Sequence, residues 1–383
     1  MKRREFLVRI GQVLIGDYVD FSRKPAKALK SMQPIQFVSW GGIGSPDRVK
    51  GAASLGIDTH RLPLSPWSNE QGEYDFHAAD IYLPLLKRVG LRAIVSIFSH
   101  GVPDWFWQRY PDTKPRNAQG EYGTWAGSIW SPQVHTEVLK GIKEIFTYLS
   151  RRGLLDLVDG VEVGVGMEGQ LSYLWGSFWA FDPYALMAYH YFLRGRFSSI
   201  HHLNTAWGTH YAEFGDIFPP SHYQQTVACH TFLDFYRQSI LETAEEWSEA
   251  VATRVQPKIW VWLSHFIAPD QRPYAARYPE YYLSHLRQLG RADVAIVSVV
   301  PGWQTRPEVE NLRKLGVQTI GEWDITPTPQ RQLQQAQLAW DLGCNGLFVG
   351  VLENLMDDQG RLNEVGSITK RIIKQWKNGK RPA

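Results

Sequence analysis

From residue 35 onward, eight short β-branched or apolar runs alternate with longer amphipathic segments, and this repetition restricts the fold more than any other feature of the 383-residue chain. The runs are Ile35 to Trp40, Thr59 to Leu64, Arg92 to Phe98, Gly160 to Val165, Lys258 to Leu263, Val294 to Val300, Val317 to Gly321 and Gly346 to Val351. Between them, Ala79 to Val89, Val134 to Leu149, Leu233 to Val251 and Gln330 to Asp341 carry apolar residues at helical spacing. Strands alternating with helices predict a parallel sheet covered by helices, and eight such units predict a closed (β/α)8 TIM barrel. A doubly wound sheet is the competing topology. No Gly-x-Gly-x-x-Gly follows the first run, and Trp40-Gly41-Gly42-Ile43-Gly44 reads as a tight turn. The stretch from about 169 to 257 is too long for a simple crossover and is rich in aromatics. It predicts a helical insertion after strand four, on the barrel face where active sites form.

Organisation follows from the same reading. Residues 1–30 form a basic N-terminal segment, and 31–383 are expected to be one barrel. Lys2-Arg3-Arg4-Glu5-Phe6-Leu7 resembles the twin-arginine export signal in degenerate form: the apolar stretch after it is short and interrupted by Arg9 and Gln12. The protein is thus expected to be cytoplasmic, or exported if that signal functions. No run approaches the length of a transmembrane helix. Net charge is +3, yet the basic excess sits at the two ends and leaves a body of about −8, which counts against nucleic acid as a partner. Only Cys229 and Cys344 are present, excluding a disulfide framework and a Cys-rich zinc site. No His-Glu-x-x-His spacing occurs, so neither a metal nor another cofactor is expected; no Gly-x-Ser-x-Gly elbow occurs either.

Strand alternation then aims particular carboxylates. Val161, Val163 and Val165 should face the helices, leaving Glu162, Gly164, Gly166 and Glu168 toward the barrel interior, with the glycines leaving room for a ligand. Glu168 falls at the C-terminal mouth, and Glu162 falls deeper as a paired interior charge or support. On the seventh run Glu322 reaches the mouth with Gln318 and Ile320 on its face. Two carboxylates flanking one cleft suit glycosidic cleavage, where one protonates the leaving oxygen and the other attacks the anomeric carbon or activates water. The chain also holds 16 Trp, 17 Tyr and 17 Phe; aromatics mostly fill cores, and a surplus of Trp beside carboxylates also suits a cleft that stacks on sugar rings. Candidate substrate contacts near the mouth are Trp40, Arg61, Trp67, His100, Trp105, Trp260, Trp262, His265, Trp303 and Trp323. Asp324 is a weaker candidate, and Glu353 either lines the cleft or caps the next turn.

These residues carry a resemblance. Trp67 with Glu70-Gln71-Gly72-Glu73-Tyr74-Asp75-Phe76, then Gly90-Leu91, Pro103-Asp104-Trp105 and Tyr110-Pro111, is similar to glycoside hydrolase family 42, the bacterial β-galactosidase family, and to related barrel glycosidases. More specific are Phe192 to Ile200 and Leu203-Asn204-Thr205-Ala206-Trp207-Gly208-Thr209, which resemble that family's insertion after strand four. Gly321-Glu322-Trp323 matches the position of its nucleophile. The resemblance covers about residues 35–355 and implies a retaining glycosidase with Glu168 as general acid/base and Glu322 as nucleophile. The trimer-forming and C-terminal domains usual in that family are not expected here, which leaves the oligomeric state open. One departure stands at the acid/base: the family's Asn-Glu pair is Met167-Glu168 here, and a thioether cannot replace the amide's hydrogen bonds. In addition, Val161 to Tyr173 resembles a β-amylase segment whose catalytic glutamate falls on Gln170. The alternatives are therefore an inverting, β-amylase-like α-glucan hydrolase, or a carbohydrate-binding barrel without catalysis. In each reading the partner is a saccharide; its sugar and linkage stay open.

Overall fold

The computed structural model describes residues 35–42, 45–97, 99–166, 169–253, 258–263, 273–274, 279–299, 305–322 and 328–383. Eight strands close a parallel barrel in sequence order: β1 Gln36–Ser39, β2 Thr59–Leu64, β3 Arg92–Ile97, β4 Val158–Val163, β5 Lys258–Trp262, β6 Val294–Ser298, β7 Gln318–Glu322 and β8 Gly346–Val349. Closure is direct, with β1 paired to β8 from Gln36↔Gly346 to Ser39↔Val349.

Alternation divides the apolar residues into two cores. Val38, Ile94, Trp260, Trp262, Val294, Ile296, Ile320 and Phe348 fill the barrel interior. Their neighbours in sequence, such as Phe37, Val95, Val161, Val261 and Leu347, pack outward against the helices. Each strand is buried on both faces, which is why the runs read as nearly continuous apolar segments.

The covering helices are α1 Pro46–Ser54, α2 His77–Arg88, α3 Asp104–Arg109, α4 Pro132–Arg151, α5 Pro183–Arg196, α6 Ile200–Trp207, α7 Val227–Ala252, α8 Pro279–Gln288, α9 Thr305–Lys314, α10 Pro329–Leu342 and α11 Glu364–Lys377. Several begin earlier than apolar spacing indicates, because a polar cap and a proline open them. Ser131 accepts from the Val134 N–H ahead of Pro132, and Thr328 accepts from the Arg331 N–H ahead of Pro329. Helices α5, α6 and α7 occupy the expected insertion between β4 and β5. They pack through aromatics: Phe235 of α7 lies 5.1 Å from Tyr189 of α5, and Trp130 stacks on Phe235 at 5.6 Å. No described helix is long and apolar enough to cross a membrane.

Strand β4 departs from expectation. It ends at Val163 and not Val165, because the chain then turns tightly: the N–H groups of Val165 and Gly166 both donate to the Gln170 carbonyl. The space beside the glycines is filled by this returning backbone. A Cβ on Gly164 would stand 1.8 Å from the Gly169 carbonyl oxygen, and one on Gly166 would stand 2.1 Å from that of Ser172. These glycines admit the protein's own chain and not a ligand.

Candidate active site

Glu322 is the last residue of β7, in register with Ser298 on β6 and Phe348 on β8. Its position on the inward face follows from Gln318 and Ile320 below it, and it is 1% exposed. One carboxylate oxygen, Oε2, accepts from the Trp262 indole N–H at 3.2 Å and from the Ser298 hydroxyl at 3.3 Å. A buried carboxylate held by fixed donors is pre-oriented, which an attacking group requires.

Beneath it runs a second polar set. Glu162 is fully buried and receives two bonds from Arg61, Nη2 to Oε1 at 2.6 Å and Nε to Oε2 at 2.7 Å, with the Ser96 hydroxyl adding a third at 2.7 Å. This two-pronged pairing satisfies an interior charge on β4 with one on β2. The Arg61 guanidinium also lies over the Trp262 ring, 4.4 Å from its centroid. Glu162, Arg61, Trp262 and Glu322 thus form one connected chain across the barrel. The turn after β4 rests on it, since a Cβ on Gly169 would meet Glu162 Oε1 at 2.6 Å and Arg61 Nη2 at 2.8 Å. Gln170 continues the turn, pairs with Trp262, and is buried with no described hydrogen-bond partner for its Oε1.

The other expected contacts take varied places. Trp40 follows β1, half-buried, stacked on Phe348 at 5.7 Å and edge-on to Trp262 at 5.9 Å. Its indole nitrogen is buried without a described partner. His100 is half-buried after β3, 6.4 Å from the exposed Trp125. Burial, and then the Arg61 charge, hold its imidazole down to about 4, so it is neutral at physiological pH. Several others are engaged in contacts within the protein. Arg61 is committed to Glu162 and Trp262 and does not stand open to the cleft. Trp260 lies wholly inside the barrel below the mouth, in register with Glu162. Trp67 is 6% exposed, packed on Phe106 at 5.0 Å, with its indole N–H given to the Ser99 carbonyl. Trp105 donates to the Ser68 carbonyl, so both indoles tie the loop after β2 to the loop after β3. Glu353 accepts the Gly42 N–H at 2.7 Å, joining the loop after β8 to that after β1. Glu168, Met167, His265, Trp303, Trp323 and Asp324 lie outside the described residues, as does segment 1–30.

Ser298 and Ser96 were missed. Both occupy inward positions of their strands, the third inward residue after Val294 and Ile296 in one case and the neighbour of Ile94 in the other, so alternation could have found them. Among the described residues no group of three or more His, Cys, Asp or Glu side chains could hold a metal ion.

A closed parallel barrel with a buried, oriented carboxylate ending its seventh strand has the frame of a barrel glycosidase. The sequence places it more narrowly. The chain belongs to glycoside hydrolase family 42: the family profile described as beta-galactosidase matches residues 39–266. It is accordingly a glycoside hydrolase. No curated protein sequence matches the chain significantly. Among solved structures, the catalytic domain of β-amylase from Paenibacillus polymyxa superposes with a TM-score of 0.77 at 16% identity, covering 89% of this chain and 99% of that one. The β-galactosidase from Bacillus circulans sp. alkalophilus gives 0.68 at 14% identity, covering 90% of this chain and 56% of that one. The β-galactosidase from Marinomonas ef1 gives 0.66 at 14%, covering 89% and 59%. The chain therefore spans a little over half the length of these β-galactosidases, and likeness at this identity concerns the fold alone.

Proposed function

We propose that the protein cleaves O-glycosidic bonds with retention, β-galactosidase-like, using Glu322 as nucleophile and Glu168 as general acid/base. The observation that carries this reading is Glu322 itself, a buried carboxylate at the C-terminal end of β7, held by Trp262 and Ser298. In the first step a Glu322 oxygen bonds to the anomeric carbon as the glycosidic C–O bond breaks, and the leaving oxygen takes the Glu168 proton. In the second, Glu168 removes a proton from water, whose oxygen bonds to the anomeric carbon and releases Glu322. Trp40 and His100, half-buried after β1 and β3, are the described side chains expected to flank the sugar, the second as a neutral imidazole. Arg61 and Glu162 act through Trp262 and are positioning residues.

A second reading, an inverting α-glucan hydrolase, is favoured by the Val161 to Tyr173 resemblance and by the full-length match to the β-amylase domain. One experiment addresses both. Aryl β- and α-glycosides and soluble glucans are offered to the wild type, Glu322→Gln and Glu168→Gln. The retaining reading expects turnover of a β-glycoside that falls at least about 10³-fold in each variant, on the scale of losing a reacting group. Cleavage confined to α-glucans would instead favour the second reading, and turnover that survives both substitutions would remove both carboxylates from the mechanism.

A further inference from the structure

A second concavity lies beside the mouth. The loop after β3, the insertion after β4 and the segment after β5 that carries Tyr274 enclose an open groove of about 470 Å³, within the range of small-molecule sites. One wall is aromatic. Trp175 is 38% exposed, and the half-buried Trp179 donates its indole N–H to the Trp175 carbonyl at 2.9 Å, which holds the Trp179 ring against the Trp175 backbone. Tyr274 completes this wall, held by Phe178 at 4.7 Å and by the Tyr223 N–H, which donates to its hydroxyl at 3.0 Å.

The opposite wall is polar and equally fixed. Asn117 is 3% exposed and organises a turn, accepting the N–H groups of Gln119 and Glu121 on its Oδ1. Its Nδ2 donates to the Glu121 carboxylate at 2.6 Å, so that carboxylate is aimed before any ligand arrives. Among the described residues no Lys or Arg lines the groove. An indole wall facing an amide and carboxylate wall suits a molecule with apolar C–H faces and hydroxyl edges. The Glu121 carboxylate on this wall disfavours anionic ligands.

Position joins the groove to the mouth. Gln170 pairs with Trp262, the indole that holds Glu322, and Trp175 follows five residues later. Five residues span at most ~18 Å, which bounds the separation of Trp175 from Gln170. We propose that this groove is a remote subsite that binds an uncharged saccharide chain several units from the point of cleavage. The choice of ligand rests on the glycosidase reading above, but the test does not depend on turnover.

Neutral β-galacto- and α-gluco-oligosaccharides of increasing length, from a single sugar upward, are titrated calorimetrically into the full chain, Trp175→Ala and Trp175→Phe. The proposal expects affinity to rise with length in one series for the wild type. Trp175→Ala should lose about tenfold on the longest members and nothing on the single sugar, and Trp175→Phe should recover most of the loss. Equal affinity in wild type and Trp175→Ala at every length, or no binding at any length, would overturn it. Length-dependent binding through Trp175 in a protein that cleaves none of the glycosides would keep the groove and remove the catalytic reading. Cleavage with binding indifferent to Trp175 would do the reverse.

Discussion

Glu162 carries its charge at the centre of the barrel, and the polar neighbours that answer it explain much of the site. A buried carboxylate without partners would be strongly destabilising, and Arg61 supplies a pairing that a lysine's single ammonium could not reproduce. Because the same guanidinium lies over Trp262, the interior ion pair also fixes the indole that donates to Glu322. Trp262→Phe keeps the ring and deletes the donor. The expected result is a kcat lower by about 10- to 100-fold, the scale of a lost hydrogen bond to a charged group. Steady-state kinetics measures this, and an unchanged kcat would detach Trp262 from the reacting carboxylate. At this scale Glu322 and the deep Glu162 were legible from alternation alone. The partnership of Glu162 with Arg61 was not, because register between β2, β3 and β4 decides it and strand spacing in sequence does not.

Among the elements, β4 and α5 depend most on single residues. The backbone at Gly164 and Gly169 comes together over the ion pair only because both residues lack side chains, and Gly169 has φ +85°. Alternation expected room for a ligand beside Gly164 and Gly166, but the strand ends at Val163 and the chain's own backbone takes that space. Helix α5 begins at Asp182, whose Oδ1 accepts from the Ala185 N–H and from the Ser128 hydroxyl. Burial lifts this carboxyl to about 7 from an ordinary 3.8, with those donors pulling the other way. The folded protein therefore binds a proton that the unfolded chain has released between those values. The contribution to stability is fullest below the lower value and is lost as pH rises through the upper one. Asp182→Asn keeps an acceptor for the helix and cannot titrate. Thermal melts at about pH 5 and pH 8 should differ less in this variant than in the wild type; an equal difference would place the titration elsewhere.

For the whole molecule, the strand order, the closed topology and the position of the insertion followed from counting alternating segments, because a parallel barrel buries every strand on both faces and so marks each one with an apolar run. Helix starts were read late, since caps such as Ser131 and Thr328 precede the first apolar position. The groove beside the mouth was not legible at all: Asn117, Trp175 and Tyr274 meet only once three separate loops gather on one end of the barrel. Trp67, Trp105 and Glu353 show the same limit, since an aromatic or acid near the mouth in sequence can be spent on joining loops. Glu322 ends β7 at the same end of the barrel, and its proposed role as nucleophile is the central claim. It is tested most directly by incubating the protein with an activated fluoroglycoside of the sugar it cleaves, digesting it, and locating the sugar-bearing peptide by mass spectrometry. The account predicts a covalent sugar on Glu322; a label on another carboxylate, or turnover with inversion and no label, would contradict it.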